Sequence, residues 1–315
     1  MKINSFAGVT QICVTATLFA CLALEAVATT RYVNPNDQTM YQTIMSAVAA
    51  SSAGDMVLVY PGIYQESVSI SGIILRALRG PEMTLIKASA STGSTGVTLA
   101  GSLNVFLIGF QVQGFVTGIY VNTSGTNLTR VANCIAAGNT GIGFYFGSSM
   151  PTGAQILNNI SAINGGDGFN SPKDALTYPG VRNNISYKNT GYGFSMLGNA
   201  TGYYGDYNCA FGNNRAATYY CSIGNNSIKT DPLLDVTKNY RFTSQSSPCF
   251  ATGDPASIYN NPDNTHNNMG AYGGPDAANW WLSPTGGPTV NNVTVVPPQV
   301  APGGTVTIRA TATSQ

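Results

Sequence analysis

The sequence is poor in charge, in histidine and in tryptophan. Of 315 residues only 9% are charged, the formal net charge is +1, and there are two tryptophans and one histidine, His266. The near-zero charge argues against nucleic-acid binding and against a polybasic membrane-surface module, since both need a basic stripe. A single histidine argues against a histidine-based metal site and against a Ser-His-Asp triad.

Glycine and asparagine are abundant instead. The chain has 36 glycines, yet 43% of its residues are hydrophobic. A disordered chain has few hydrophobic residues, so this composition indicates turns repeated at high frequency between short buried elements.

Residues 1–28 are predicted to be a secretory signal peptide. An apolar run, Phe6–Leu24, follows a lysine and closes on the small residues Ala26 and Ala28. These are the parts of a cleavable leader. A membrane anchor is the first alternative, which the polar residues within the run disfavour. A lipoprotein box ending at Cys21 is the second, which Phe19 fits poorly. We therefore expect a secreted or cell-surface protein whose mature chain has no membrane span.

Three segments repeat with a step of 25 residues. They are Asn133–Phe144, Asn158–Phe169 and Asn183–Phe194, and they align without a gap. Short β-type runs separated by Gly and Asn at this period are typical of a parallel β-helix. Helical solenoids need longer amphipathic stretches, which Gly and Asn interrupt here. We predict an all-β, right-handed parallel β-helix of about 25 residues per coil, with roughly eight coils between residues 55 and 250.

In such a stack, equivalent residues lie above one another at about 4.8 Å. Asparagines in one column can then bond each other through their amides, and glycines are expected at bends with positive φ. The predicted columns are two asparagine ladders, Asn133/Asn158/Asn183/Asn208 and Asn139/Asn164/Asn189/Asn214, and two interior columns, Ile135/Ile160/Ile185 and Phe144/Phe169/Phe194, the latter continued by Tyr219.

Four cysteines follow the leader: Cys134, Cys209, Cys221 and Cys249. Cys134 and Cys209 are placed in one column three coils apart, roughly 14 Å, whereas the Cα atoms of a disulfide lie within about 7 Å. That pair is therefore excluded, and Cys134 is expected to be a buried free thiol. The pairings Cys209–Cys221, Cys209–Cys249 and Cys221–Cys249 all remain open.

Both ends of the coil carry further signals. Residues 41–50 predict one short helix that caps the first coil, since Ile44, Ala47 and Val48 share a face. The stretch YQTIMSAVAASSAGDMVLVYPGIYQESVSI resembles the entry to right-handed parallel β-helices of the pectin-lyase-like superfamily. Residues 230–233, 247–255 and 268–274 resemble the closing region of its secreted bacterial members. The resemblance covers residues 31–275. It implies fold and secretion but not activity, because this fold hosts lyases, hydrolases, epimerases and non-catalytic proteins.

We therefore divide the chain into a signal peptide (1–28), a β-helix domain with caps (29–275), a linker (276–288) and residues 289–315. The last segment alternates β-branched and polar residues and resembles the first two strands of a bacterial immunoglobulin-like module. A complete module needs near 100 residues. Our hypothesis is that the chain is a fragment of a longer modular surface protein.

The same resemblance points to one calcium loop. Residues 164–170 are similar to the loop of a β-helical pectate lyase family that is usually rich in aspartate. Asp167 is the one carboxylate left, with Gly166 and Asn170 where two more would stand. Ser195 and Met196 occupy the place of the family's catalytic lysine. Asp167 is thus a candidate calcium ligand, and calcium is the only cofactor implied.

A second candidate site lies on the connection between coils. Asp174, Tyr178 and Arg182 are predicted to bind carbohydrate there, because aromatic and arginine groups can cradle a sugar ring or a uronate. Tyr203 and Tyr207 are predicted to bind carbohydrate as well, since by the 25-residue step Tyr203 would stack on Tyr178 and Tyr207 on Arg182. Arg182 and Lys173 are also the candidates for a catalytic base.

Two functions compete on these grounds. The preferred one is an extracellular β-helix module that binds a polysaccharide or surface glycan, or acts in adhesion, without catalysis. The alternative is a calcium-assisted polysaccharide lyase, or a related carbohydrate-active enzyme, acting on an acidic polysaccharide.

Overall fold

The computed structural model describes residues 28–147, 150–151, 153–171, 180–196, 205–277, 289–296 and 307–313. Three seven-stranded parallel sheets run the length of the coil, and each turn of the chain contributes one strand to each sheet. This is the predicted right-handed parallel β-helix. Each sheet has seven strands, one fewer than the predicted number of coils. Beyond Tyr219 a single parallel bridge, between Ile228 and Cys209, extends the stack before the chain leaves it.

The strands of the three sheets are short, as the spacing of Gly and Asn predicts. Sheet A contains Thr30–Val33, Met56–Val59, Ile74–Ala77, Val105–Ile108, Thr129–Ala132, Gln155–Leu157 and Val181–Arg182. Sheet B contains Gly62–Tyr64, Thr84–Lys87, Gln111–Gln113, Ile135–Ala137, Ile160–Ala162, Ile185–Tyr187 and Cys209–Phe211. Sheet C contains Val68–Ile70, Thr95–Gly101, Thr117–Thr123, Phe144–Phe146, Phe169–Ser171, Tyr192–Met196 and Ala216–Tyr219.

The capping helix is confirmed. It spans Ile44–Ala49, and the Thr43 side chain accepts a hydrogen bond from the Ser46 amide at its start. Ile44 and Ala47 are fully buried against the first coil. The helix therefore covers the open apolar end of the stack, as a terminal cap must. Within the described ranges, no helix has the length and apolar character needed to cross a bilayer.

The inner core, which fills the coil, contains the predicted phenylalanine column. The rings of Phe144, Phe169 and Phe194 stack with centroids 4.7 Å apart at each step and are completely buried. The column does not continue to Tyr219, because Phe194 pairs with Thr218 and Tyr219 pairs with Ser195. One step of the repeat is therefore 24 residues instead of 25.

The asparagine ladders exist, but the first is shifted by one residue from its predicted position. Above the first asparagine of each ladder, every amide oxygen accepts bonds from the backbone and side-chain nitrogens of the asparagine one coil below, at 2.8–3.1 Å. The first ladder is Asn159/Asn184/Asn208, and its Asn159 oxygen accepts the Cys134 amide. The second ladder is Asn139/Asn164/Asn189/Asn213. Asn214 is exposed and lies outside the ladder.

Asn133, Asn158 and Asn183 have a different role from the one predicted. They occupy a left-handed corner, with φ between 54° and 61°, and Tyr207 continues the corner at 55°. Asparagine tolerates this conformation better than most residues. The Nδ2 atoms of Asn133 and Asn158 point out of the coil and donate to backbone oxygens of later residues, Ala271 and Asn268.

The glycine columns are explained by space, not by positive φ. Gly143, Gly168 and Gly193 are absent from the residues at positive φ. A Cβ on Gly168 would lie 2.2 Å from Ser186 Oγ and 2.7 Å from the Gly193 oxygen of the next coil. Glycine is required because the backbone of one coil passes too close to the next for any side chain.

After the last coil the chain returns along the outside of the stack as the closing segment, residues 232–277. It contains an antiparallel pair, Leu234–Asp235 with Arg241–Phe242, and two 3-10 turns, Val236–Lys238 and Ser257–Tyr259. Ile135, Ile160 and Ile185 are buried beneath it rather than inside the coil, which corrects the predicted interior column. We call this second cluster the outer core.

Glycine lets the closing segment approach the outer core closely. Gly270 has a φ of 84°, its amide donates to the Asn183 oxygen at 2.6 Å, and a Cβ there would lie 2.8 Å from Ile185 Cδ1. Beyond this segment, Thr289–Val296 and Thr307–Thr313 pair antiparallel with each other. The signal peptide, most of the linker and the immunoglobulin-like module stay predictions.

Candidate functional site

Four of the predicted site residues, Lys173, Asp174, Tyr178 and Tyr203, lie outside the described part of the chain. The expected stacking of Tyr203 on Tyr178 therefore stays a prediction. The stacking of Tyr207 on Arg182 is wrong, since Arg182 pairs with Asp206 across the 24-residue step.

Arg182 holds the closing segment against the coil. Its Nη1 lies 2.5 Å from Asp254 Oδ2, and the side chains are only 22% and 9% exposed. Asp254 in turn donates its backbone amide to Asn183 Oδ1 and accepts from the Ala256 amide. The guanidinium proposed as a sugar ligand or base is thus engaged in a structural ion pair.

Asp167 also uses both carboxylate oxygens within the fold. Oδ1 accepts the Tyr192 amide of the next coil and Oδ2 accepts Asn170 Nδ2, each at 2.7 Å. The side chain lies in an open depression of about 270 Å³ beside Arg215. No group of three or more His, Cys, Asp or Glu side chains suited to a metal ion occurs among the described residues.

The same structural use extends to the other acids. Each of the eleven carboxylates in the described ranges accepts a hydrogen bond or ion pair from another group of this chain. They are Asp37, Asp55, Glu66, Glu82, Asp167, Asp206, Asp231, Asp235, Asp254, Asp263 and Asp276. Turns, caps and arginines hold these carboxylates in place within the fold.

A pocket that sequence reasoning missed lies within the closing segment. The closing-segment pocket has a volume of about 420 Å³ and lies between residues 240–251 and 261–272, above Ile160 of sheet B. Four aromatic residues line it, together with several polar side chains. They are Tyr240, Phe242, Phe250 and Tyr272, with Arg241, Thr243, Ser244, Gln245, Asn261, Asp263, Thr265, His266 and Asn268.

One wall of the pocket is built on a tight turn. Asn239 and Tyr240 both have positive φ, and the Tyr272 hydroxyl donates to the Asn239 oxygen at 2.7 Å. The Arg241 guanidinium lies 4.1 Å from the centroid of the Tyr272 ring and forms an ion pair with Glu82 at 2.7 Å. This arrangement fixes the tyrosine ring and balances the arginine charge, so the wall is rigid and nearly neutral.

Burial also sets the protonation of the two tyrosines. It raises the pKa of Tyr240 and the pKa of Tyr272 above the ordinary phenol value, and the nearby Glu82 adds to the effect at Tyr272 while Arg241 opposes it. Both hydroxyls are therefore neutral at physiological pH, and that of Tyr272 already donates to the Asn239 oxygen.

The opposite wall supplies polar groups held in defined positions. His266 Nε2 donates to the Gly253 oxygen at 2.7 Å, Asn268 Oδ1 accepts the Ala251 amide at 2.8 Å, and Asp263 Oδ1 accepts from Thr265. A partly apolar cavity with a few oriented polar groups is the usual form of a small-molecule site. The pocket can therefore accept a compact ligand that has one apolar face and several hydroxyl or amide groups at its edge.

The molecule is thus a right-handed parallel β-helix protein with an aromatic pocket in the segment that closes over its outer surface. No family model matches the sequence, and no curated protein matches it. Two solved structures with similarity are pectin methylesterases in complex with hexasaccharides. A substituted form is 11% identical, with 62% of this chain and 82% of that chain covered and a TM-score of 0.36. The second is 11% identical, with 64% and 66% covered and a TM-score of 0.25.

Similarity at this level carries no argument about activity or ligand. The assignment of the fold rests on the pairing of the strands in the three sheets. Any function has to be argued from the pocket and the side chains around it.

Proposed function

We propose that the chain is an extracellular glycan-binding β-helix module, which takes a sugar ring or a short saccharide into the closing-segment pocket. The observation that carries the proposal is the pairing of four aromatic side chains with oriented polar groups around a cavity of about 420 Å³. A sugar ring has apolar C–H faces that pack on aromatic rings and hydroxyls at its edge that bond polar groups.

The exposure of the pocket residues supports this assignment. Phe242 and Phe250 are half-buried, so their rings present surface to the cavity, while Thr243, Ser244 and His266 are exposed at its edge. Arg241 is neutralised by Glu82, which favours a neutral saccharide over a uronate as the group that enters. The predicted leader at residues 1–28 supports an extracellular location.

The lyase alternative stays a prediction. Two of the residues predicted for the lyase site lie in the described ranges. Arg182 forms an ion pair with Asp254, and Asp167 accepts the Tyr192 amide of the next coil. Neither observation favours catalysis, so we propose binding as the function.

Isothermal titration of the full chain against neutral and acidic oligosaccharides tests the proposal. We expect binding of a neutral saccharide that falls about tenfold or more in Phe242→Ala, since loss of an aromatic contact costs about 1–2 kcal/mol. Ile258→Ala is the matched control: Ile258 belongs to the same segment, is 71% exposed and does not line the pocket. Its affinity should equal that of the wild type.

Two outcomes would overturn the proposal. One is that no saccharide binds, and the other is that Phe242→Ala binds as tightly as Ile258→Ala with both variants folded. An absorbance assay for unsaturated uronate, run with Ca²⁺ and with chelator on the same oligosaccharides, separates binding from lyase activity.

A further inference from the structure

The lining of the closing-segment pocket has three ionisable side chains besides its tyrosines, namely Arg241, Asp263 and His266. The Arg241 charge is offset from outside the pocket, because its Nε and Nη2 atoms lie 2.8 and 2.7 Å from one oxygen of Glu82. His266 supplies no negative charge, and its Nε2 donates to the Gly253 oxygen. Among the described residues none forms an ion pair with Asp263. Its carboxylate is therefore the charge of the lining that is not balanced.

Asp263 is held by a tight turn that uses one of its two carboxylate oxygens. Oδ1 accepts the Thr265 hydroxyl at 2.6 Å and the Thr265 amide at 3.0 Å, and these bonds lower the pKa of Asp263. In the described ranges no other residue bonds to Oδ2. The side chain is exposed and borders the cavity. The carboxylate is thus ionised at neutral pH, fixed in position, and has one oxygen available to a ligand.

The aromatic part of the lining suits a cation as well as the face of a sugar. The rings of Phe242 and Phe250 are nearly perpendicular, at 78°, with centroids 6.5 Å apart. They form a corner of aromatic surface and not a flat platform. The face of an aromatic ring is the negative side of its quadrupole and attracts an ammonium group. Tyr272 of the same lining already holds the Arg241 guanidinium in this way, 4.1 Å from its ring centroid.

We propose that the saccharide bound by this pocket is an amino sugar, whose ammonium group pairs with Asp263 Oδ2 while its C–H face packs on the aromatic residues. The inference rests on the proposed function and narrows its ligand class. A neutral sugar keeps the aromatic contact and lacks the ion pair, and a uronate is repelled by the same carboxylate. Glu82 sets this preference from outside the pocket, because without its charge Arg241 would balance Asp263.

Isothermal titration of the full chain at about pH 6, where the amine of the ligand is protonated, tests the preference. The ligands are a glucosamine trimer, the trimer with hydroxyls in place of the amino groups, and a uronate trimer. We expect the amino trimer to bind about fivefold more tightly than the hydroxyl trimer, since it gains an ion pair and a cation–π contact. In about 1 M salt this ratio should fall toward one.

The outcomes separate this inference from the proposed function. Equal affinities of the amino and hydroxyl trimers would overturn the inference and leave the proposed function standing. Failure of all three trimers to bind would overturn the proposed function itself. Methylammonium should not displace the amino trimer at equal concentration. If it does, the pocket recognises a cation and not an amino sugar, and the inference is wrong.

Asp263→Asn should lower the affinity for the amino trimer to that of the hydroxyl trimer. Asp235→Asn is the matched control, because Asp235 Oδ1 accepts the amide and hydroxyl of Thr237 in the same way and Asp235 does not line the pocket. It removes the same charge and should keep the full preference. An equal response of the two variants would contradict the assignment. A charged His266 would oppose the ammonium, so His266→Gln should keep or strengthen the preference, and its loss there would also contradict the assignment.

Glu82→Gln gives a readout that a poorly folded variant cannot produce. The glutamine oxygen can still accept from Arg241, but the surroundings of the pocket gain one positive charge. We expect the uronate trimer to bind about fivefold more tightly than it binds the wild type, and the amino trimer to bind more weakly. Loss of the amino trimer without any gain for the uronate, in a variant whose circular dichroism matches the wild type, would overturn the role of Glu82.

Discussion

The molecule has two hydrophobic cores that are built by different rules. The inner core repeats: Phe144, Phe169 and Phe194 are buried side chains in equivalent positions, and each coil supports the next. The outer core joins one regular column, which includes Ile160 and Ile185, to a segment without a repeat. A repeating core can be lengthened by adding further coils of the same pattern. The closing-segment pocket, by contrast, is formed mainly by residues of the non-repeating segment. In this chain the coil supplies rigidity, and the closing segment supplies the candidate site.

The largest expected effect is in the inner core. Phe169→Ala removes a ring that stacks on both neighbours at 4.7 Å and should cost about 3–5 kcal/mol of unfolding free energy. Urea unfolding followed by circular dichroism measures it. Tyr145→Ala on the outer face of the same sheet is the control and should cost well under half as much, about 1 kcal/mol. Equal losses of unfolding free energy would mean that the inner and outer faces of sheet C contribute equally to stability.

The second prediction concerns the ladder. Asn164→Ala leaves the Asn139 amides without their acceptor and the Asn189 oxygen without one of its donors, which should cost about 3 kcal/mol. Asn214→Ala, at the position a uniform 25-residue step would place in the ladder, should cost less than about 0.5 kcal/mol. Unfolding midpoints of the two variants decide between a uniform step and the observed 24-residue step.

The third prediction concerns how the outer core is held. Asn158→Gly keeps the left-handed corner but removes the bond to the Asn268 oxygen, at 2.7 Å, and should cost about 1–2 kcal/mol. Hydrogen exchange should show the loss in the closing segment and not in the coil. Ile163→Gly is matched in φ, at 54°, but its side chain is 45% exposed, so it should leave the closing segment unchanged.

The smallest effect is expected at the first coil and depends on pH. Hydrogen bonds from the Ser52 and Thr29 amides, with a smaller contribution from Arg31, lower the pKa of Asp55. Its stabilising contribution is therefore complete above the ordinary aspartate value of about 3.9 and is lost as the pH falls through the lower, folded value. Exchange at Thr30–Val33 should rise over that range in the wild type. Asp55→Asn should show no such dependence on pH.

Much of the coil could be predicted from the sequence, because the 25-residue step places buried aromatic residues in one column. The first ladder was predicted one residue early because the sequence has asparagine doublets at 158–159 and 183–184. The first member of each doublet takes the left-handed corner, and the second enters the ladder. The 25-residue period alone does not show which of two adjacent asparagines enters the ladder. The left-handed φ that the corner requires distinguishes the two.

The pocket could not be predicted in this way. Tyr240, Phe242, Phe250 and Tyr272 belong to a segment with no repeat, so no column indicates which of them meet. Ile160 illustrates the same limit: a strand buried on both faces has no alternation of polar and apolar residues to say which side faces the coil. The signal that was present is the number of aromatic residues between 240 and 272.

Hydrogen exchange of the unmodified chain tests the central claim, that the closing segment packs on the outside of the coil and forms a second core. The Gly253, Met269 and Gly270 amides donate to the Asn267, Cys249 and Asn183 oxygens. They should be protected at least a hundredfold relative to free peptide, and should open together before the Phe169 coil does. Exchange of these amides at the rate of an unstructured peptide, with the coil still protected, would contradict the account.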